Sequence, residues 1–202
     1  MALEVERKYP FSDFAELRTR LRDARAEYRG RFFEENLVLD TPPRELWQGG
    51  RLLRLRIEGD KAKLCLKRQP EASKLDEGYK IREEVETEVS QPEQMRQILE
   101  GLGYEMAFCY EKLREVWRLG QLTICLDHLP FGRYAELEGD GDSIPRAVET
   151  LGLQDCDFTT QDYHHLHKLY CRQRGVQEHD SFVFSEQQKS RLKELASKGG
   201  GQ

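Results

Sequence analysis

Glu4, Glu6 and Lys8 occupy alternate positions of the opening run E-V-E-R-K. Side chains two residues apart on a strand share a face, so this spacing lines up two carboxylates and an ammonium. The pattern recurs along the chain. R-L-L-R-L-R-I-E sets Arg54 and Arg56 opposite Leu53, Leu55 and Ile57. K-A-K-L-C-L-K-R sets Lys61, Lys63, Cys65 and Lys67 opposite Leu64 and Leu66. Y-K-I-R-E-E-V-E-T-E-V sets Lys80, Arg82, Glu84, Glu86 and Glu88 opposite Ile81, Val85 and Val89. Further on, Lys112 and Arg114 oppose Leu113 and Trp117. Cys125 and Asp127 oppose Ile124 and Leu126, and Glu136 and Glu138 oppose Ala135 and Leu137.

Arg and Lys on adjacent strands suit an anion clamp, because guanidinium forks bind phosphate oxygens bidentately. Carboxylates at alternate positions suit a hard cation such as Mg²⁺ or Mn²⁺. Bases together with an acid-held metal are the recurring parts of phosphoryl-transfer sites. Alternation alone leaves two arrangements open. The charged faces are either the solvated outside of an ordinary sheet or barrel, or the lining of a barrel whose apolar faces point outward under amphipathic helices.

The elements that would carry these residues are readable from the pattern. Strands are predicted over Leu3 to Tyr9, ended by Pro10, then Phe32 to Asp40, Arg51 to Glu58 and Lys61 to Arg68. Four more follow, over Tyr79 to Val89, Phe108 to Leu119, Gln121 to His128 and Arg133 to Gly139. Gly59-Asp60 and Gly120 read as hairpin turns. Ser12 is placed to cap a helix carrying Phe14, Leu17, Leu21 and Ala24, and Ser90 to cap one carrying Met95, Ile98, Leu99 and Leu102, stopped by Gly103. Ser143 would cap a third, and Phe158 to Arg174 reads as a fourth. T-P-P-R-E-L-W-Q-G-G and Gln69 to Gly78 read as loops. Eight sequential antiparallel strands suffice to close a barrel and remove both edges, so the expected class is α+β.

Composition narrows the function. Among 202 residues, 32 Lys+Arg nearly offset 37 Asp+Glu for a net charge of −5, which argues against nucleic-acid coating. The 5 cysteines are odd in number with no C-x-x-C, which favours a reducing, cytoplasmic compartment. There is no membrane-length apolar run and no signal peptide. A homodimer is left open.

The ordered motifs resemble the CYTH, or triphosphate tunnel metalloenzyme, superfamily. E-V-E-R-K is similar to its E-x-E-x-K signature, and E-E-N-L-V-L-D-T-P to its second strand and the loop after it. G-R-L-L-R-L-R, L-C-L-K-R, I-R-E-E-V-E-T-E-V, E-K-L-R-E-V-W and C-L-D-H-L-P-F-G-R-Y-A-E-L-E follow in the family's order. The resemblance covers roughly residues 1 to 170. It implies an eight-stranded antiparallel closed β-barrel with a charged lumen and helices packed outside. A tunnel domain would span residues 1–174, followed by a polar tail, 175–202, with one short helix over Ser185 to Ala196 or disorder.

By the same resemblance, Lys8, Arg54, Arg56, Lys67, Arg82, Lys112 and Arg114 would bind a triphosphate. Glu4, Glu6, Glu136 and Glu138 would hold one or two Mg²⁺ or Mn²⁺ ions. Glu84, Glu86 and Asp127 would complete the acidic side, orienting the bases or a second metal. Glu4, Glu6, Lys8, Arg54, Arg56 and Lys67 would act in the reaction itself. The family includes triphosphatases of inorganic or thiamine triphosphate and class IV adenylate cyclases acting on ATP. The hydrolase is placed first, the cyclase second, and a non-catalytic polyphosphate or nucleotide binder third. One departure is that members often carry a lysine before the tyrosine opening the C-terminal helix, where this chain has Gln161 and Asp162 in T-T-Q-D-Y.

Other candidates weigh less. His164, His167 and Cys171 in D-Y-H-H-L-H-K-L-Y-C share a helix face, but Zn²⁺ prefers four ligands and no fourth is evident. G-D-G-D-S reads as a plain turn, and Trp47 and Trp117 as packing residues.

Overall fold

Eight strands alternate apolar and charged side chains, and the computed structural model, which describes residues 2–70 and 78–198, closes all eight into one barrel. In chain order the strands are β1 (Ala2–Phe11), β2 (Glu27–Asp40), β3 (Leu52–Glu58), β4 (Lys61–Arg68), β5 (Lys80–Val89), β6 (Glu105–Leu119), β7 (Leu122–Leu129) and β8 (Gly132–Glu138). The helices are α1 (Ala15–Asp23), α2 (Glu45–Gln48), α3 (Pro92–Gly101), α4 (Ser143–Thr150), α5 (Tyr163–Arg174) and α6 (Glu186–Lys198). The strand order is β1-β5-β4-β3-β2-β6-β7-β8, every neighbour antiparallel, with β8 returning to β1. Most of the predicted loop between Gln69 and Gly78, and the terminal G-G-G-Q, lie outside the described residues.

The apolar core lies outside the barrel wall. Leu17 and Leu21 of α1 and Ile144, Ala147 and Val148 of α4 cover Ile124, Leu126, Ala135 and Leu137, which point outward from β7 and β8. Leu99 of α3 covers Leu39, Leu55, Ala62 and Val89. Leu192 of α6 meets Phe33 of β2 and Phe184. Helices cover the apolar faces of most strands, although Leu3 of β1 and Val85 of β5 stay exposed, and the charged faces are left to line the lumen. This settles the choice that alternation left open.

Several boundaries differ from the sequence expectation, each for a local reason. β1 runs through Pro10 to Phe11. Its pairing with β5 ends at Glu6, and the backbone of Lys8 instead bonds Thr159 (3.1 and 2.8 Å). Pro10 has the same parity as Lys8, so its missing N–H falls on the edge that β5 has left and no ladder bond is lost. Ser12, Ser90 and Ser143 do not cap their helices. Asp13 Oδ1 accepts from Ala15 N–H at 2.8 Å, and Asp140 Oδ1 accepts from Ser143 N–H at 2.6 Å. α3 starts with Pro92, whose absent N–H would have been an orphan at a helix start.

The predicted long loop after β2 contains α2. Asp40 folds it by accepting from the N–H groups of Thr41, Leu46 and Trp47 at 2.8, 2.9 and 3.0 Å. α5 begins at Tyr163 rather than Phe158, because Thr159 is held against β1 and Asp162 caps the helix through His165 N–H at 2.8 Å. Gly59 and Gly120 turn the β3–β4 and β6–β7 hairpins with φ of 62° and 61°, which favours glycine. The cysteines are free thiols, and among the described residues no helix is long and apolar enough to cross a membrane.

Candidate active site

The lumen holds a cavity of about 290 Å³ bounded largely by charged side chains. Three registers assemble it. Across β1 and β8, Glu6 lies opposite Glu138 and Lys8 opposite Glu136. Across β3 and β4, Arg54 pairs with Cys65 and Arg56 with Lys63. Across β6 and β7, Arg114 pairs with Asp127. Because each pair is an inward-facing pair, the barrel converts alternation in sequence into convergence in space.

Two ionic clusters result. In the first, Lys8 is 1% exposed and its Nζ lies 2.6 Å from Glu6 and 3.1 Å from Glu136. Burial alone would raise the Glu6 carboxyl, but Lys8 and Lys80 outweigh it and hold the group down to about 2. Burial likewise opposes ionisation of Glu136, and Lys8 and Arg114 hold it well below the usual carboxylate range. Lys67 Nζ donates to Glu4 at 2.7 and 2.5 Å and lies 3.5 Å from Glu84.

In the second cluster, Arg114 donates to both oxygens of Asp127, at 2.7 and 2.5 Å, and also to Glu136. Lys112 donates to Asp127 at 3.0 Å and lies 3.5 Å from Glu34. The Tyr163 hydroxyl donates to Asp127 at 2.9 Å, and its ring faces Lys8 and Lys112, with ammonium-to-centroid distances of 5.3 and 5.6 Å. Burial and then the Asp127 charge push the Tyr163 phenol well above its usual range, so it stays a hydrogen-bond donor.

Arg54 stands apart from these pairs, and Arg56 makes only longer ion contacts, to Glu34 and Glu58 at 3.7 and 3.5 Å. Arg54 donates from one terminal nitrogen to the Tyr110 hydroxyl at 2.8 Å. Its other terminal nitrogen and its Nε are buried without a hydrogen-bond partner, as is Nε of Arg56. Buried guanidinium N–H groups left unpaired are costly, and a phosphate oxygen is the group whose geometry matches them.

Of the residues singled out from sequence, Glu4, Glu6, Lys8, Arg54, Arg56, Lys67, Glu84, Glu86, Lys112, Arg114, Glu136 and Glu138 all bound the cavity. Two do not. Asp127 faces inward but is fully buried beneath the bases, with its oxygens taken by Arg114, Lys112 and Tyr163. Arg82 is the register partner of Glu4, but its side chain turns to the Ile81 carbonyl at 3.3 Å. The sequence reading set Lys63 and Lys80 on charged faces without giving them a site role, and passed over Tyr110 and Tyr163 at the cavity and Glu34 and Asn36, both buried among the charged groups. Parity could have found Glu34 and Asn36, since they alternate with Phe33 and Leu37 on β2. Trp47 is 42% exposed at the cavity mouth, edge-on to Phe108 and His164, and Trp117 packs in the outer core. Asp162 of the T-T-Q-D-Y run bounds the same mouth.

The donor set fits a divalent cation. Glu4, Glu6, Glu136 and Glu138 bring carboxylates to one cavity, and burial and then the Glu4 carboxylate push Glu138 up to about 7. A metal ion there would relieve both terms. Cys65 is no substitute: burial drives its thiol up to about 11, and it donates to Glu84 at 2.7 Å.

Fold and site together define a closed barrel that carries its charge inside and its apolar core outside. The CYTH domain profile matches residues 2–153, and the chain belongs to the CYTH family. It is 26% identical over 137 residues to a protein of Methanocaldococcus jannaschii whose name proposes an adenylate cyclase, covering 67% of this chain and 76% of that one. Among solved structures, it resembles the PH1819 protein of Pyrococcus horikoshii (27% identity, TM-score 0.64, covering 81% of this chain and 97% of the other). It also shares its fold with a Vibrio parahaemolyticus protein proposed as an adenylate cyclase (24% identity, TM-score 0.61, covering 94% and 98%). A Hippeastrum protein described as an adenylyl cyclase candidate with a dominant triphosphatase activity shares it too (19% identity, TM-score 0.59, covering 88% and 98%).

Proposed function

We propose that this chain is a divalent-metal-dependent triphosphatase that hydrolyses a phosphoanhydride bond of a linear triphosphate inside the barrel. The observation that carries the reading is the set of unpartnered guanidinium N–H groups of Arg54 and Arg56 inside a lumen that also carries acids. A simple anion binder needs bases alone. Glu4, Glu6 and Glu136 pair with lumen bases in the free protein, and beside a bound anion they and Glu138 are placed to hold its accompanying cation.

Arg54, Arg56 and Lys67 on β3 and β4 face Lys8, Lys112 and Arg114 across the cavity, so a chain of phosphates can be gripped from two sides. Asp127 and Tyr163 fix Lys112 and Arg114 before substrate arrives, which removes reorganisation from the reaction. Glu4, Glu6, Glu136 and Glu138 would hold one or two Mg²⁺ or Mn²⁺ ions, with Glu84 and Glu86 on the same acidic side. When bound, such an ion supplies charge neutralisation on the phosphates and activation of water. Glu138, protonated up to about pH 7, can exchange its proton as the cation enters. The free thiols favour a reducing compartment, and we place the reaction in the cytoplasm.

The second reading is a class IV adenylate cyclase, releasing cyclic AMP and pyrophosphate from ATP. The name of the Methanocaldococcus relative favours it. The same clamp would serve, with attack at the α- rather than a terminal phosphorus. One assay separates the readings. The protein is incubated with Mg²⁺ or Mn²⁺ and tripolyphosphate, thiamine triphosphate or ATP, and orthophosphate, pyrophosphate and cyclic AMP are quantified. Orthophosphate release lost in Glu4→Gln and Glu6→Gln is expected. Cyclic AMP as the main product would replace the hydrolase by the cyclase, and tight binding without turnover would replace both by a binder.

A further inference from the structure

The histidine-rich start of α5 divides between two environments. His164 bounds the lumen mouth, and its Nε2 is 2.8 Å from Asp180. One turn on, His167 faces away from the lumen, 5% exposed, and packs against the rings of Phe131 and Phe182 at 5.3 and 4.9 Å. Cys171 follows at i+4 on the same helix face, 1% exposed. Its Sγ lies 3.5 Å from His167 Nε2.

The third member comes from beyond the helix. Gly175, at φ 65°, ends α5 and reverses the chain, which brings the His179 ring to 4.8 Å from that of His167. One ring nitrogen from each histidine and the Cys171 sulfur all lie within 4.8 Å of one another. The sequence could not supply this third ligand, because the helix pattern pointed to His164 instead.

The spacing is that of a metal site. A Zn²⁺ ion with Zn–S of about 2.3 Å and Zn–N of about 2.0–2.1 Å at tetrahedral angles holds sulfur and nitrogen roughly 3.5 Å apart. His167 and Cys171 already have that separation. His179 Nδ1 meets the Ser181 carbonyl, which can only accept, so Nδ1 carries the proton and Nε2 keeps its lone pair. Fixing the tautomer of a ligand histidine through a backbone carbonyl is a usual outer-shell arrangement. A nucleophilic Cys–His pair would need access for a substrate, and Cys171 has almost none.

We propose that His167, Cys171 and His179 form a Zn²⁺ site, with the fourth position open to water on the exposed His179 side. None of the three bounds the lumen. The two sites differ in chemistry, since thiolate and imidazole select Zn²⁺ while carboxylates select Mg²⁺ or Mn²⁺. The ion would staple the segment after α5 to the helix that carries Tyr163. That segment contains Phe182, which stacks on Tyr110 at 5.1 Å and bounds the lumen.

The test uses the full chain after treatment with chelator, and its readouts do not depend on turnover. Zn²⁺ is expected to bind with release of the Cys171 thiol proton and to raise the melting temperature. Co²⁺ in its place is expected to show a thiolate-to-metal charge-transfer band that Zn²⁺ abolishes. His179→Ala, at an exposed position, keeps the fold and lowers Zn²⁺ affinity by at least roughly 10–100-fold, the range known for outer-shell partners alone. Cys171→Ser loses the band. A Co²⁺ spectrum without thiolate character, or Zn²⁺ affinity equal in wild type and His179→Ala, would overturn the proposal and place any bound Zn²⁺ on the lumen carboxylates.

Discussion

Asp127 receives Arg114 as a bidentate pair from the neighbouring strand, with nitrogen–oxygen distances of 2.7 and 2.5 Å, at a carboxylate that is 0% exposed. The same carboxylate takes Lys112 and the Tyr163 hydroxyl. It therefore touches nothing in the cavity, yet it sets where two of the cavity's bases point. Asp127→Asn keeps the shape and removes the charge, leaving Arg114 and Lys112 buried with less compensation. Breaking a buried pair from one side costs about 3–5 kcal/mol, so the urea midpoint should fall by that equivalent. A loss below about 1 kcal/mol, the value of a surface pair, would mean that the cluster is solvated and that Asp127 orients little.

That cluster also shows where sequence reading reaches its limit. Parity sorted Lys112, Arg114, Glu136 and Glu138 onto one face, and these four do bound the lumen. Parity is a property of one strand and says nothing about depth along the barrel axis. Arg82 has lumen parity and still turns aside, and Asp127 sits behind the bases it serves. Glu34 was obscured by its neighbour. In F-F-E-E-N the two acids are adjacent, so one must face each way and β2 shows no charge bias. Glu35 goes outward to Lys189 and Lys193 (3.0 and 2.6 Å), while Glu34 goes inward beside Lys112 and Arg114 (3.5 and 3.7 Å). The helix caps failed for a similar reason. Serine was the local signal, but Asp13, one residue after Ser12, and Asp140, three before Ser143, were better placed to accept the free N–H groups.

Glu138 makes stability depend on pH with an unusual sign. Its carboxyl titrates near 4.5 in the unfolded chain and is raised to about 7 in the folded one by burial and by Glu4. Between those values the folded state holds the proton more strongly. Stability from this group is therefore full below about pH 4.5 and is lost as pH rises to about 7, by roughly 3 kcal/mol. Half-buried His128 and buried His167 have lowered pKa values and contribute the opposite slope, so the informative quantity is wild type minus Glu138→Gln. In metal-free protein that difference should shrink steadily from pH 5 to 7 and level off above. Saturating Mn²⁺ should flatten it. A difference independent of pH would show that Glu138 titrates normally.

Arg54 should trade stability against function. Its Nε and one terminal nitrogen are buried without hydrogen-bond partners, a state that costs about 1–3 kcal/mol per group. Arg54→Met removes those groups, keeps much of the side-chain volume, and forfeits the Tyr110 contact at 2.8 Å and the charge set against Glu34 and Glu84. We expect the variant's melting temperature to equal or exceed wild type. Its affinity for tripolyphosphate should fall about 10–100-fold, from the loss of charge-assisted bonds worth about 1.5–3 kcal/mol. Calorimetry reads the affinity and thermal unfolding the stability. Unchanged affinity would remove Arg54 from the phosphate clamp.

The end of the described chain is held by contacts that the barrel can lose without unfolding. Leu192 of α6 packs on Phe33 and Phe184, in a cluster separate from the three others. Lys189 bridges Glu111 and Glu35 at 2.5 and 3.0 Å, and Glu111 also accepts from Phe184 N–H at 3.0 Å. These partners sit on β2 and β6, far away in sequence, so a polar tail in the sequence becomes an ordered helix only once the barrel wall exists. Leu192→Ala should remove about 2–3 kcal/mol of α6 docking, the lower part of the range for a buried leucine, because the cluster is small. Cooperative units at the edge of a fold open on their own. Amide exchange over Glu186–Lys198 should therefore speed up more than tenfold, while exchange in β2 and β6 stays near wild type. Equal acceleration in the helix and both strands would instead make α6 part of the barrel's own folding unit.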